Sequence, residues 1–210
     1  MDKFKDNIKI SLIDKKISSS EIDDIIELIK KENALSILSN LSNRLIREYI
    51  DLALQSDNIF LTSLSIENRI RGHALFTKNA KFLINDFKKL RFKIFFNLLG
   101  RFKIFSLINI ILDLSKIHGI FIKKKDKVLI QESLYLNLIA VHKDFQSKGI
   151  GRNFFDHSVK LIYENNFKFE YISCESHKAA LDFYLNKVNF RLVGKKMRIF
   201  RNWYVLLKKY

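Results

Sequence analysis

The run Val141-His142-Lys143-Asp144-Phe145-Gln146-Ser147-Lys148-Gly149-Ile150-Gly151 lies where a hydrophobic stretch gives way to an amphipathic one. Read locally, it is a strand turning into a helix. Gly149 and Gly151 let the backbone turn tightly and let a ligand come close. The first N–H groups of the helix have no partner inside it. With the positive end of the helix dipole they make a natural seat for an anion, and a pyrophosphate is the size that fits. A compact structural turn is the competing reading of the same residues.

Other chemistries lack their signatures. Five His and one Cys show no metal-ligand spacing. There is no Gly-x-Ser-x-Gly elbow and no P-loop lysine motif. Cys174 stands alone, so no disulfide can form within the chain, and a small buried strand residue is its simplest role.

The elements that must position the turn follow from periodicity. Lys9–Ile13 reads as a strand. Ser18-x-x-Glu21 is a capping box, and Ile22, Ile25, Ile26 and Ile29 behind it mark one buried helix face. A second helix carries Leu38, Leu41, Leu45, Tyr49 and Ala53 on one side. Ile59–Ile66 and Arg69–Thr77 alternate as two strands joined at Glu67-Asn68, a hairpin. Helical spacing runs from Ala80 to Ile94, Gly100 punctuates, and Arg101–Ile117 reads as a further helix. Then come a strand Leu134–Val141, a helix Gly149–Asn165, a strand Phe169–Cys174, a helix His177–Val188, and a closing strand pair, Arg191–Phe200 and Trp203–Leu207. This order predicts an α/β sheet protein.

At this point the resemblance becomes specific. The sequence resembles the GNAT (Gcn5-related N-acetyltransferase) superfamily, whose acyl-CoA site has the pattern Gln/Arg-x-x-Gly-x-Gly/Ala after a hydrophobic strand. Here Gln146-x-x-Gly149-x-Gly151 follows Leu138-Ile139-Ala140-Val141. About 35 residues later the family has a helix with Ala and Tyr and then a Gly-Phe-like end. This chain has His177-Lys178-Ala179-Ala180-Leu181-Asp182-Phe183-Tyr184, then Asn189-Phe190. The likeness covers 1–78 loosely and 130–210 well, and leaves 79–127 as an insertion.

The resemblance implies a single domain over 1–210 with a mixed, mainly antiparallel central sheet flanked by helices, and a helical insertion between the third and fourth strands. It implies an N-acyltransferase moving acetyl from acetyl-CoA to a primary amine, such as an amino sugar. Lys148 to Gly151 would hold the pyrophosphate, with Gln146, Ser147 and Ile150 around it. Ile139, Ala140 and Val141 would pair with the pantetheine arm like an added strand. His177 would stand at a position that commonly touches the cofactor, and Tyr184 would protonate the departing thiolate. The family often has Pro where Lys143 stands, Asn where His177 stands and Gly where Asn189 stands. A Glu that some members carry on the central strand is replaced by Tyr135. Glu132 is the nearest candidate base, with Glu175 and His73 as alternatives.

Charge marks the insertion. The chain carries a formal +16, yet residues 81–127 hold 12 Lys/Arg against 3 Asp/Glu, and residues 191–210 hold 7 against none. The excess predicts a surface that meets something anionic. Phe87, Phe92, Phe95, Phe96 and Phe102 interleave with these charges, which leaves open a packed helical hairpin, a basic helix on a membrane surface, or a contact for an anionic substrate. Bulky apolar residues on more than one side of Arg91–Leu114 suggest burial against the domain, a second subunit or lipid. Two rival functions stay open: a nucleic-acid- or membrane-binding module without catalysis, and an acyltransferase using long acyl chains. The charged N-terminus leads into no secretory pattern, so a cytoplasmic location, with possible membrane association, is expected.

Overall fold

A computed structural model describes residues 8–13, 16–33, 36–80, 90–101, 103, 120–165, 167–198 and 201–210. The described chain forms two compact units, each drawn from two stretches of sequence. One comprises residues 1–76 and 138–167, the other residues 77–137 and 168–210.

In the first unit, β1 (Ile8–Leu12) pairs antiparallel with β2 (Ile59–Ile66), and the sheet continues through β3 (Arg69–Thr77) to the end of β5 (Leu134–Val141). The predicted hairpin has the predicted ends. Glu67 and Asn68 adopt φ of 54° and 59°, the paired left-handed turn that matches the strand twist. Gly72 is required by its neighbours: a Cβ there would lie 3.1 Å from both the Ala140 carbonyl oxygen and the Leu64 Cβ.

Three helices cover this sheet. α1 (Ser19–Glu32) starts at the predicted box, with the Ser18 side chain accepting from Glu21 N–H and Glu21 reaching back to Ser18. Its Ile22, Ile25, Ile26 and Ile29 are buried as their spacing requires. α2 (Asn43–Gln55) is capped by Ser42, which the sequence reading passed over in favour of a helix already running at Leu38; Leu38–Asn40 is instead a separate 3-10 turn. α5 (Ile150–Glu164) buries Phe154, Phe155, Val159 and Ile162. Phe155 packs against Phe76 of β3 with ring centres 6.4 Å apart. Buried Ser158 of α5 and Thr62 of β2 satisfy each other through a mutual hydroxyl bond of 2.9 Å.

In the second unit, the first half of β5 pairs in parallel with β6 (Tyr171–His177), Leu134 opposite Ile172 and Leu136 opposite Cys174. β6 pairs antiparallel with β8 (Arg201–Lys209), and β8 with β7 (Arg191–Arg198). A short β4 (Ile120–Ile122), absent from the sequence reading, adds antiparallel to β7 across Gly194–Lys196. The insertion also contributes α3 (Arg91–Gly100), and α4 (Lys124–Glu132) starts at its end and runs beyond it. Residues 81–89, and all of the helix expected over Arg101–Ile117 except Arg101 and Lys103, lie outside the described residues.

β6 runs three residues past the expected Cys174. Glu175, Ser176 and His177 are polar and do not announce a strand, but each has a partner on β8, from Val205 to Trp203. The helix expected from His177 therefore begins one residue later, as a 3-10 turn Lys178–Ala180 that passes into a π-helical turn Phe183–Lys187. Asn189 has φ of 59°, so it takes the left-handed position that a glycine fills elsewhere.

Candidate functional site

The turn after β5 is built from alternating backbone signs. Gln146 is extended, Ser147 has φ of 60°, and Gly149 has φ of 77° before the helix begins. Alternation of this kind turns successive N–H groups toward one point, a concavity suited to anions. The first full helical bond of α5 runs from Asn153 N–H to the Gly149 carbonyl, which leaves the amides of Ile150, Gly151 and Arg152 ahead of it. A Cβ on Gly149 would meet nothing within 4 Å, so the seat is open. No carboxylate occupies the first turn of α5, and Lys148 and Arg152 add positive charge. Lys148 bends back to donate to the Asp144 carbonyl at 2.9 Å.

The strand edge leading into this seat is also prepared. His142 donates its backbone N–H to the Arg71 carbonyl of β3 at 2.7 Å. Backbone groups alternate along a strand, so Ile139 and Val141 turn theirs away from β3 while Ala140 faces it. The Val141 carbonyl receives the Gln146 side-chain amide at 2.7 Å, and the Ile139 carbonyl receives the Asn33 side-chain amide at 3.1 Å. Glu32, the last residue of α1, accepts from Lys143 N–H and from Gln146 Nε2, both at 3.1 Å. Glu32 and Asn33 thus tie the end of α1 to the turn. The sequence reading missed both; the only sign of them was a carboxylate at a helix C-terminus, where the dipole disfavours it.

Ile139, Ala140, Val141 and Gln146 to Gly151 are accordingly brought together in the first unit. The remaining expected residues belong to the second. Tyr184 lies in the π-helical turn, 8% exposed, edge-on to Phe183 and Phe190. Burial, and secondarily Cys174, push its phenol well above the usual tyrosine range. Its hydroxyl therefore keeps its proton at any physiological pH. Tyr135 is half-buried on β5 opposite Ser173, and Glu132 is exposed at the end of α4. Glu175 faces Lys196 at 3.5 Å. His177 uses Nδ1 to accept from Ala179 N–H at 3.0 Å and stands edge-on to Trp203. The Cys174 thiol is buried and raised well above its usual range, which leaves it unreactive. His73, in the first unit, is buried with neither ring nitrogen hydrogen-bonded among the described residues, and burial lowers its pKa to about 4. No group of His, Cys, Asp and Glu among the described residues could hold a metal ion.

None of the curated proteins matches the chain in sequence. Residues 127–203 match the family model of the acetyltransferase (GNAT) domain. Among solved structures, a GNAT-family acetyltransferase from Streptococcus pneumoniae is similar at a TM-score of 0.56 and 12% identity, over 96% of this chain and 98% of the other. The PaiA N-acetyltransferase of Thermoplasma acidophilum, solved with coenzyme A, gives 0.55 and 11% over 97% and 99%. A GNAT acetyltransferase of Elizabethkingia anophelis, solved with acetyl-CoA, gives 0.53 and 12% over 98% and 100%. At these identities the structural likeness speaks for the fold. The family match adds the stretch that holds β5, the glycine turn, α5 and Tyr184. Residues 127–203 thus resemble the GNAT acetyltransferase domain, and the fold is the one GNAT acetyltransferases have, a mixed, mainly antiparallel sheet flanked by helices.

Proposed function

We propose that the protein is an N-acyltransferase that moves acetyl from acetyl-CoA to a primary amine of a small molecule, an amino sugar being one candidate. The observation that carries this reading is the concave turn at Ser147–Gly149, open to solvent and followed by helix amides ahead of the first helical bond. The pyrophosphate of the donor would sit there on the amides of Lys148 to Gly151. Its arm would run back along β5 beside Val141, Ala140 and Ile139, using strand-like amide contacts. His177 is not assigned a cofactor contact in this reading, because its ring already caps the following turn.

The chemistry is a direct displacement. The amine nitrogen attacks the thioester carbon, the C–S bond breaks, and a C–N amide bond forms. Tyr184 supplies a proton to the sulfur, as a buried phenol of raised pKa can do. The amine's surplus proton leaves through water, and water returns a proton to the Tyr184 phenolate. Glu132 is exposed at the end of α4, and Tyr135 carries no carboxylate, so neither is assigned the proton in this reading. Positioning of a deprotonated amine against the thioester then supplies much of the rate. The protein is taken to work as one acyltransferase domain with 79–127 as its insertion.

Isothermal titration with acetyl-CoA and with free CoA tests this reading. Saturable one-to-one binding supports it and justifies screening amines. A folded protein that binds neither has a turn that is only structural.

For the insertion, the reading supported best is contact with an anionic membrane surface, in keeping with a location in the cytoplasm. Phe92, Phe96 and Leu99 of α3 are 77%, 64% and 50% exposed and fall on one stripe of the helix. Lys93, Arg101 and Lys103 around them are exposed, and α3 has no carboxylate. An apolar stripe flanked by cations is what an interfacial helix presents. Among the described residues no helix is long and apolar enough to cross a membrane.

A further inference from the structure

Asn33 is the residue whose chemistry the site does not yet explain. It ends α1 with φ of −104° and ψ of 38°, a backbone open to any amino acid, so its identity is not demanded by the conformation of the helix end. Its side chain does not turn back to cap α1. It reaches across to β5, where Nδ2 donates to the Ile139 carbonyl at 3.1 Å. Its other end, Oδ1, is buried and has no hydrogen-bond partner among the described residues. A buried acceptor left empty is costly, and native structures rarely keep one without use. The neighbouring Glu32 is held by Lys143 N–H and Gln146 Nε2, so the end of α1 is tied to the donor turn.

An amide bound at one edge offers its acceptor at the other, as the backbone of an added strand would. Ile139 lies two residues before Val141, hence about 6–7 Å further from the pyrophosphate seat along the strand. Whatever runs along this edge from the seat reaches Ile139 and Asn33 with its middle or far part. On the donor reading above, on which this inference rests, that part is the pantetheine arm, which carries two secondary amides.

We propose that Asn33 is a donor-binding residue: its Oδ1 accepts a hydrogen bond from an amide N–H of the pantetheine arm, while Nδ2 stays on the Ile139 carbonyl. The side chain thereby extends the edge of β5 by one amide group. It selects a donor with an amide-bearing arm over a bare nucleotide.

The test is to titrate wild type and Asn33→Ala with free CoA and, separately, with adenosine 3′,5′-bisphosphate, which has no arm. Loss of one hydrogen bond weakens CoA about tenfold in Asn33→Ala. The bisphosphate binds both proteins alike, which also shows that the variant is folded. Equal CoA affinity in the two proteins would leave Asn33 as a packing residue. Tighter CoA binding by Asn33→Ala would mean that Asn33 competes with the arm for Ile139. An equal loss for both ligands would make the residue structural. A wild type that binds neither ligand removes the donor reading itself, and the variant series is then read no further.

Discussion

Two residues carry most of the proposed chemistry, and each can be tried alone. Gly149 holds φ of 77° with open space where a side chain would go. A Cβ there strains the backbone by about 1–2 kcal/mol and points a methyl into the anion seat. Gly149→Val is expected to keep its far-UV circular dichroism and lose CoA binding in calorimetry; normal binding would place the pyrophosphate elsewhere. Tyr184→Phe removes only a hydroxyl. It is expected to leave CoA affinity unchanged and to lower kcat about 10²- to 10⁴-fold, the usual worth of a placed general acid. Because burial raises its pKa, Tyr184 stays protonated beyond pH 10, and kcat should show no falling alkaline limb below that. Unchanged turnover would argue against the assignment, whereas an alkaline limb below pH 10 that the Phe variant removes would keep Tyr184 as the acid and overturn only its raised pKa. At this scale the sequence was legible where types are restrictive. Gly149 sits at a φ that favours glycine, and Asn189, standing where the family often has Gly, takes the left-handed backbone. It was illegible where a role depends on distant contacts: nothing within α1 says that Glu32 will meet Gln146, 114 residues away.

Elements were readable when their signals were local. The capping box at Ser18, the β2–β3 hairpin and the strand Leu134–Val141 all stand where periodicity and capping put them. β6 and β4 were misread or missed for one reason: their extents are set by partners. Polar Glu175–His177 is strand because β8 pairs with it, and Ile120–Ile122 is strand because β7 offers an edge. α3 shows the converse. Its Leu98 is fully buried while Phe92, Phe96 and Leu99 face outward, so it is apolar on two sides. If the outer stripe lies on an anionic bilayer, wild type should sediment with vesicles of phosphatidylglycerol and phosphatidylcholine but not with phosphatidylcholine alone. Salt should weaken the association as it screens the lysines. The double variant Phe92→Glu, Phe96→Glu should stay in the supernatant. Sedimentation that ignores the double variant, or none by folded wild type at low salt, would remove the membrane reading. A wild-type dimer that the double variant dissociates would assign the stripe to a second copy.

For the molecule as a whole, the uneven charge and one buried histidine set the response to acid. At +16 the chain already repels itself at neutral pH, and protonation of its carboxylates below about pH 5 adds to this. His73 acts at higher pH. It is 1% exposed, and its pKa is about 4 in the fold against about 6.5 when unfolded. Between those values the unfolded chain binds a proton that the folded chain refuses, so stability rises with pH. The contribution is untouched above pH 6.5 and is eroded on acidification, by up to about 1.4 kcal/mol per pH unit and on the order of 3 kcal/mol by pH 4. Thermal unfolding from pH 7 to pH 5, above most of the carboxylate titration, should therefore show a falling midpoint. His73→Leu should flatten that slope. It should also unfold no earlier than wild type at pH 7, because an apolar side chain replaces a ring whose two nitrogens have no hydrogen-bond partner among the described residues. An undiminished slope would place the acid sensitivity in the carboxylates. A large loss of stability at pH 7 would mean that the ring is held by contacts worth more than its empty nitrogens cost, and that His73, one of the candidate bases, has a structural part in β3.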